Sequence, residues 1–385
     1  MKITFFSNFL NHHQLPFCKE MLNLIGNNFK FVATEKIPDE RIKMGYEDMN
    51  SKYEFVVRAY ENEKEAFRLG VESDIVIIGS SPKKYVNYRI KNKIGITFAY
   101  SERIFRSDGF KTSLKKLYYK YIKEKNQNGN YYLLCSSAFT SEDYNSIGLF
   151  NDRTLKWGYF PEVKEYKKID SLIRNKEKNS IIWVGRFIEL KHPEIVINVA
   201  KKLKNQKITF SIKMVGTGVL EEKIKDMIKL NDLDKCIAIE GAMTPKEVRK
   251  RMEKSRIFVF TSDRREGWGA VLNEAMNSGC AVIASHEIGS VPFLIDDNKN
   301  GLIYENGSEE ELYNKIRMLL NNNALTEKLG VNAYKTMINL WNPKIAANRI
   351  IELSTSLINN KKILDYKNGP CSKAKNIKND WYLNK

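Results

Sequence analysis

The sequence predicts an α/β protein made of two doubly wound parallel-sheet domains, and three observations carry that expectation. Short apolar runs of strand length alternate with amphipathic helical stretches along the whole chain. Strands separated by helices pair in parallel and are covered on both faces. At 385 residues the chain is long for one core and fits two domains of ordinary size.

In the first half the strand candidates are Ile3 to Phe6, Phe29 to Ala33, Ile75 to Gly79, Gly95 to Ala99 and Tyr131 to Cys135. In the second they are Ile181 to Gly185, Phe210 to Val215, Cys236 to Glu240, Ile257 to Phe260, Ala281 to Ala284 and Leu302 to Tyr304. Between the two series, Phe160 to Lys178 is polar and charged and opens with a proline after an aromatic run, as a linker would. The expected division is therefore 1–165, 166–345 and 346–385. In the last part a helix entered at Asn342-Pro343 runs into a lysine-rich tail, expected to pack back toward the first domain.

No apolar run is long enough to span a bilayer, which excludes an integral membrane protein. The start, MKITFFSNFLNHHQ, turns polar too soon for a signal peptide, so a cytoplasmic protein is expected. Cys18, Cys135, Cys236, Cys280 and Cys371 lack C-x-x-C spacing and read as reduced, mostly buried thiols, with neither disulfide nor metal site.

The net charge of +18 needs an explanation. A lysine-rich solvated surface, a nucleic acid, and an anionic membrane surface carrying acidic substrates all fit it. No nucleic-acid recognition module is visible, so no nucleic-acid partner is expected. Within 103–125, Phe110, Leu114, Leu117, Tyr118, Tyr121 and Ile122 recur at helical spacing among lysines. Such a helix suits an anionic bilayer surface, or packs its Leu/Tyr face inward as an ordinary domain helix does.

The stretch DRREGWGAVLNEAMNSGCAVIAS, residues 263–285, concentrates the chemistry. A strand ends at Phe260, a polar loop follows, and a helix is expected from Ala270 to Met276, its amino terminus at Gly267-Trp268-Gly269. Backbone N–H groups there, with glycines that allow close approach, suit an anion. Glu266 at the mouth of an anion site would accept hydroxyl hydrogens, and Glu274, about two helical turns on, would face the same elongated ligand. A second element, IIWVGRFIELKH, ends a strand at Gly185 and places Arg186 and Lys191 where a fork and a point charge would meet a diphosphate. In open α/β sheets ligands lie at this end of the strands.

The G-R-x4-K element followed by E-x7-E resembles the donor site of the retaining GT-B glycosyltransferases of family 4, most closely from Ile181 to about Leu320. FSNFLNHHQ near the start, YSER at Tyr100 to Arg103 and WGYFP at Trp157 to Pro161 are similar to bacterial members. The usual glycine-rich turn near the amino terminus is replaced by Asn11-His12-His13-Gln14. The resemblance implies two Rossmann-like domains with an interdomain cleft, and transfer of a hexose-type sugar with retention of configuration. Arg186 and Lys191 would neutralise the leaving nucleoside diphosphate. Glu266, with the N–H groups of Gly267, Trp268 and Gly269, would hold sugar hydroxyls and phosphates, and Glu274 the ribose. No metal and no cofactor is implied, because the nucleotide-sugar is a substrate and cations come from Arg and Lys. The acceptor would be a saccharide, lipid-linked if 103–125 meets the inner face of the plasma membrane, and the setting cell-surface polysaccharide assembly.

His12, His13, Glu102 and Arg103 follow strands of the first domain and are candidate acceptor or sugar contacts. VGTGVLEEKI, residues 215–224, lacks the third glycine of a dinucleotide fingerprint and reads as a tight strand-to-helix turn. Two other functions remain open on sequence: a nucleotide-sugar epimerase of the same fold, which would need further acid/base groups than the four histidines suggest, and a basic nucleic-acid binder.

Overall fold

In the computed structural model, which describes residues 1–39, 42, 47–106, 129–360 and 362–383, every named strand pairs in parallel with its neighbours. The chain forms two units: Met1–Glu162 with Trp341–Lys378, and Val163–Leu340 with Asn379–Lys385. The expected borders at 165/166 and 345/346 compare with observed ones at 162/163 and 340/341.

The first unit carries β1 (Ile3–Ser7), β2 (Phe29–Ala33), β3 (Val56–Arg58), β4 (Ile75–Ile78), β5 (Ile96–Ser101), β6 (Tyr131–Cys135) and β7 (Thr154–Lys156). Their order across the sheet is β3-β2-β1-β4-β5-β6-β7. β1, β4 and β6 are buried at every position, as continuous apolar runs in a sheet covered on both faces should be. The helix Pro343–Asn360 packs on Leu15–Ile25 of this unit. Beyond it, Cys371 N–H donates to the Lys156 carbonyl (2.8 Å) and Ala374 N–H to that of Thr154 (3.0 Å), which covers the edge that β7 would otherwise leave open. Arg89, fully buried, donates to the carbonyls of Gly70 (3.0 Å), Ser73 (2.8 Å) and Ile96 (3.1 Å). Its burial lowers its pKa to about 10, and it satisfies backbone groups at the end of the sheet opposite the strand carboxyl termini.

The second unit carries β8 (Ser180–Val184), β9 (Ser211–Val215), β10 (Ile237–Ile239), β11 (Ile257–Phe260), β12 (Ala281–Ser285) and β13 (Leu302–Tyr304), in the order β10-β9-β8-β11-β12-β13. Trp183, Phe187, Met214, Ile257 and Ile283 share its core. In both sheets the chain winds outward from one strand and then returns to that strand's other side. The direction reverses between β1 and β4 in the first unit and between β8 and β11 in the second. A crevice opens at such a reversal, at the carboxyl ends of the strands.

The short edge strands β3 and β7 go beyond the sequence expectation. Each is three residues long and closes on a cation, Val-Val-Arg and Thr-Leu-Lys, so no apolar run of strand length marks it. All five cysteines are free thiols, and four of them are buried. Among the described residues, no helix is long and apolar enough to cross a membrane. The basic amphipathic stretch expected within 103–125 lies outside the described residues from 107 onward.

Candidate active site

At the reversal between β8 and β11 two loops face each other. After β8 come Gly185 and Arg186, then a short turn Glu189–Lys191, then His192, whose left-handed backbone (φ 46°) starts the helix Pro193–Asn205. After β11 come Thr261 to Gly269 and the helix Val271–Asn277. Three hydrogen bonds tie the loops together. Asp263 N–H donates to the Leu190 carbonyl (3.0 Å), the Thr261 hydroxyl donates to the Lys191 carbonyl, and the Trp183 indole N–H donates to Thr261 Oγ1 (2.9 Å).

The glycines here meet steric demands. A side chain at Gly216 (φ +133°) would lie 2.0 Å from the Gly185 carbonyl oxygen, so the VGTG turn packs under the Gly185–Phe187 backbone. It is a structural turn in support of the site. Gly269 (φ +81°) is pressed against the Phe260 ring, where a Cβ would fall 2.5 Å from Cζ. Only glycine takes this conformation without strain.

Lys191 forms an ion pair with Glu266, both side chains about 15% exposed or less. The ammonium also sits 5.2 Å over the face of Phe260, and Ser262 Oγ donates to the same Glu266 oxygen (3.1 Å). The structure thus brings together two residues separated by 75 positions in sequence. Arg186 is exposed at the mouth of the crevice. Glu274 is half-buried one turn into its helix. Burial pushes its pKa up to about 7, and the nearby Arg249 offsets only part of that.

Glu266 lies ahead of the helix, as the sequence suggests, in a turn in which its N–H donates to the Asp263 carbonyl (3.0 Å), so helical phase does not relate it to Glu274. Trp268 is fully buried, with its indole N–H on Asn273 Oδ1 (2.9 Å) and its ring beside Phe293. Its side chain is therefore a packing anchor, and any contact of Trp268 with a ligand would run through its backbone. Gly267 is buried beside it.

His192, Asp263 and Arg265 join the site without having been singled out from sequence. His192 lies 3.0 Å from both Asp263 and Glu194, and Arg265 donates to Asp263 at 2.7 Å. Hydrogen bonding to these carboxylates, above all to Asp263, raises the His192 pKa to about 9. Burial alone would raise that of Asp263, but the bonds from His192 and Arg265 outweigh it and hold the carboxyl well below its usual range. The signal lay in the titratable residues that crowd two segments after strand ends, Lys191, His192 and Glu194 in one and Asp263, Arg264 and Arg265 in the other.

At its own reversal the first unit holds a cavity of about 430 Å³, lined by Ser7, His13, Tyr100, Glu102, Arg103 and Ser136 among others. Three of the four candidate acceptor residues thus share one cavity. The His12 and His13 rings meet at a tilt of 47° with centroids 3.7 Å apart, and Asn11 Oδ1 accepts from the N–H groups of His13 and Gln14. Glu102 accepts from the Tyr159 hydroxyl (2.6 Å) and pairs with Arg106.

Residues 165–336 match the family Glycosyl transferases group 1. Relatives agree: the chain is 26% identical over 284 residues to the poly(ribitol-phosphate) alpha-N-acetylglucosaminyltransferase of Staphylococcus aureus, covering 73% of this chain and 54% of that one. It is 33% identical over 161 residues to an uncharacterized glycosyltransferase of Methanocaldococcus jannaschii (42% and 44% covered), and 29% identical over 162 residues to the amylovoran biosynthesis glycosyltransferase of Erwinia amylovora (41% and 39%). The chain spans about half the length of the curated relatives it matches. Among solved structures, Anabaena HepE in complex with UDP aligns with a TM-score of 0.69 at 14% identity, over 93% of this chain and 100% of that one. S. aureus TarM aligns at 0.58 and 22%, over 77% and 57%. These neighbours are GT-B glycosyltransferases, and they establish the fold as two parallel-sheet, Rossmann-like units. The group 1 match covers both loops of the site at the reversal of β8 and β11.

Proposed function

We propose that this chain is a nucleotide-sugar-dependent glycosyltransferase that moves a hexose-type sugar, with retention of configuration and without a metal, to a saccharide acceptor in cell-surface polysaccharide assembly. The observation that carries the reading is the Lys191–Glu266 pair at the reversal point of the unit that matches group 1 glycosyltransferases. Relatives named for poly(ribitol-phosphate) glycosylation and amylovoran biosynthesis support the polysaccharide setting. Neighbours solved with UDP support a nucleoside diphosphate in the site.

On this reading the Lys191 ammonium, already desolvated against Phe260, stabilises the negative charge that grows on the leaving diphosphate. Arg186 meets the same charge from the open side of the crevice. Glu266 releases Lys191 when the diphosphate arrives and accepts hydroxyl hydrogens of the sugar, held in place by Ser262. The backbone of Gly267 to Gly269 lines the phosphates, and Glu274 accepts from the ribose. No cofactor enters. The acceptor is a saccharide, lipid-linked if residues 103–125 bring the chain to an anionic cytoplasmic membrane face.

Radiolabelled sugar transfer from a panel of nucleotide-sugars to membrane-derived saccharide, in wild type, Lys191→Ala and Glu266→Gln, tests this. Losing one electrostatic contact of this kind costs about 100- to 1000-fold in turnover. Both variants should fall by that order while keeping wild-type circular dichroism. Turnover within threefold of wild type in both, a threshold of only about 0.7 kcal/mol, would remove the site from the reaction.

A further inference from the structure

The cavity of the first unit has a chemical bias that its position alone does not explain. It opens at the carboxyl ends of β1, β4, β5 and β6, through Ser7, Gly79, Ser101 to Arg103 and Ser136. Its acidic lining is already engaged: one Glu102 oxygen accepts from Tyr159 and the other pairs with Arg106. Arg103 is 8% exposed and stacks 5.0 Å from the Phe139 ring. Its counter-ion Asp143 sits at 3.3 Å, a long contact, and that carboxylate also serves the Phe105 N–H at 3.0 Å. Arg103 Nε and the hydroxyl of the fully buried Ser136 have no hydrogen-bond partner among the described residues.

A buried guanidinium only donates, and leaving such a group unmatched costs more than leaving a neutral one. The occupant that completes this wall is rich in acceptor oxygens and negatively charged. Arginine forks match phosphate oxygens in this way. A space of about 430 Å³ is larger than a phosphate group needs, and Tyr100, Asn8 and Asn11 offer an aromatic face and amides for an attached polyol or sugar ring.

We propose that this cavity binds a phosphate ester of a sugar or polyol, with the phosphate against Arg103 and Ser136. Its role as the acceptor side of the reaction rests on the glycosyltransferase reading above; the binding itself does not.

The test is calorimetric and saturation-transfer titration of the full chain with glycerol 3-phosphate, inorganic phosphate and glycerol, alongside sedimentation with phosphatidylglycerol and phosphatidylcholine vesicles. Glycerol 3-phosphate should bind at least about tenfold more tightly than glycerol, as expected for charge-assisted bonds. Arg103→Gln should lose that preference. Ser136→Ala, which removes a hydroxyl the fold does not use, should weaken it several-fold with unchanged thermal stability, so a folding defect in the first variant leaves the test intact. Lys191→Ala should bind glycerol 3-phosphate normally, which separates this site from the nucleotide site. Tighter binding of the soluble ester points to a free phosphate ester, and selective sedimentation with phosphatidylglycerol to a lipid headgroup. Equal affinity for glycerol and its phosphate, or unchanged binding in both Arg103→Gln and Ser136→Ala, overturns the proposal. UDP titration of the same samples reports independently on the donor reading.

Discussion

The imidazole of His192 bridges two carboxylates, Asp263 and Glu194, each at 3.0 Å, and so fastens the Lys191 loop to the Glu266 loop. The folded state raises the His192 pKa to about 9 from an unfolded value near 6.5. The stability that it contributes is therefore complete below about pH 6.5 and lost as pH rises through about 9. Asp263 and Glu194 are shifted the other way. Their contribution is complete above their unfolded values near 4 and lost as pH falls below them. The shift of His192 corresponds to at most about 3 kcal/mol, less because the ring is a quarter exposed. Thermal unfolding of His192→Asn, which tolerates the left-handed backbone, should show a flatter decline between pH 6.5 and 9 than wild type.

Gly269 and the Phe260 ring are in contact that admits no Cβ. Gly269→Ala combines positive-φ strain with overpacking and should cost roughly 2–5 kcal/mol in urea unfolding. Pairing it with Phe260→Leu should restore part of that loss, because the second change removes the clashing ring.

Trp268 belongs to the core, and its substitution separates packing from ligand contact. Trp268→Phe leaves Asn273 without its indole donor and should lower stability by about 1–3 kcal/mol. Nucleotide affinity, measured on the folded variant by titration, should stay within a few-fold of wild type. A loss approaching a hundredfold would mean that the indole itself reads the ligand.

Glu274 carries a pH signature into binding. Its carboxyl, pushed up to about 7 by burial, accepts hydroxyl hydrogens on both oxygens and more strongly when it is ionised. Nucleotide affinity should therefore fall as pH drops through about 7. Glu274→Gln should bind several-fold more weakly at pH 8 and lose most of this pH dependence.

Much of this arrangement is legible in the sequence because buried parallel strands announce themselves. β2, β6, β11 and β13 occupy the residues that their apolar runs predict. The group 1 match likewise falls on the second half, where the sequence suggests an anion site at the strand-end glycines and Lys191, with Glu266 beside it as a hydroxyl acceptor. What stays hidden depends on distance in sequence. Nothing in the local pattern says that Cys371 to Ala374 run beside β7, since that pairing spans more than two hundred residues. Tertiary context alone turns Trp268 inward onto Asn273 and leaves Arg103 facing a long contact to Asp143. Nothing local marks His192 as a clasp, and only the approach of the Asp263 loop makes it one.

The most direct measurement is the thermal unfolding midpoint of the full chain against increasing UDP, GDP and ADP, in wild type and Lys191→Ala. Binding to the folded state at a hundredfold excess over Kd adds about 2.7 kcal/mol. One nucleotide should raise the wild-type midpoint by several degrees, and Lys191→Ala should lose most of that rise while unfolding cooperatively. No rise with any nucleotide, or an equal rise in Lys191→Ala, would contradict a nucleotide-sugar site built on the Lys191–Glu266 pair.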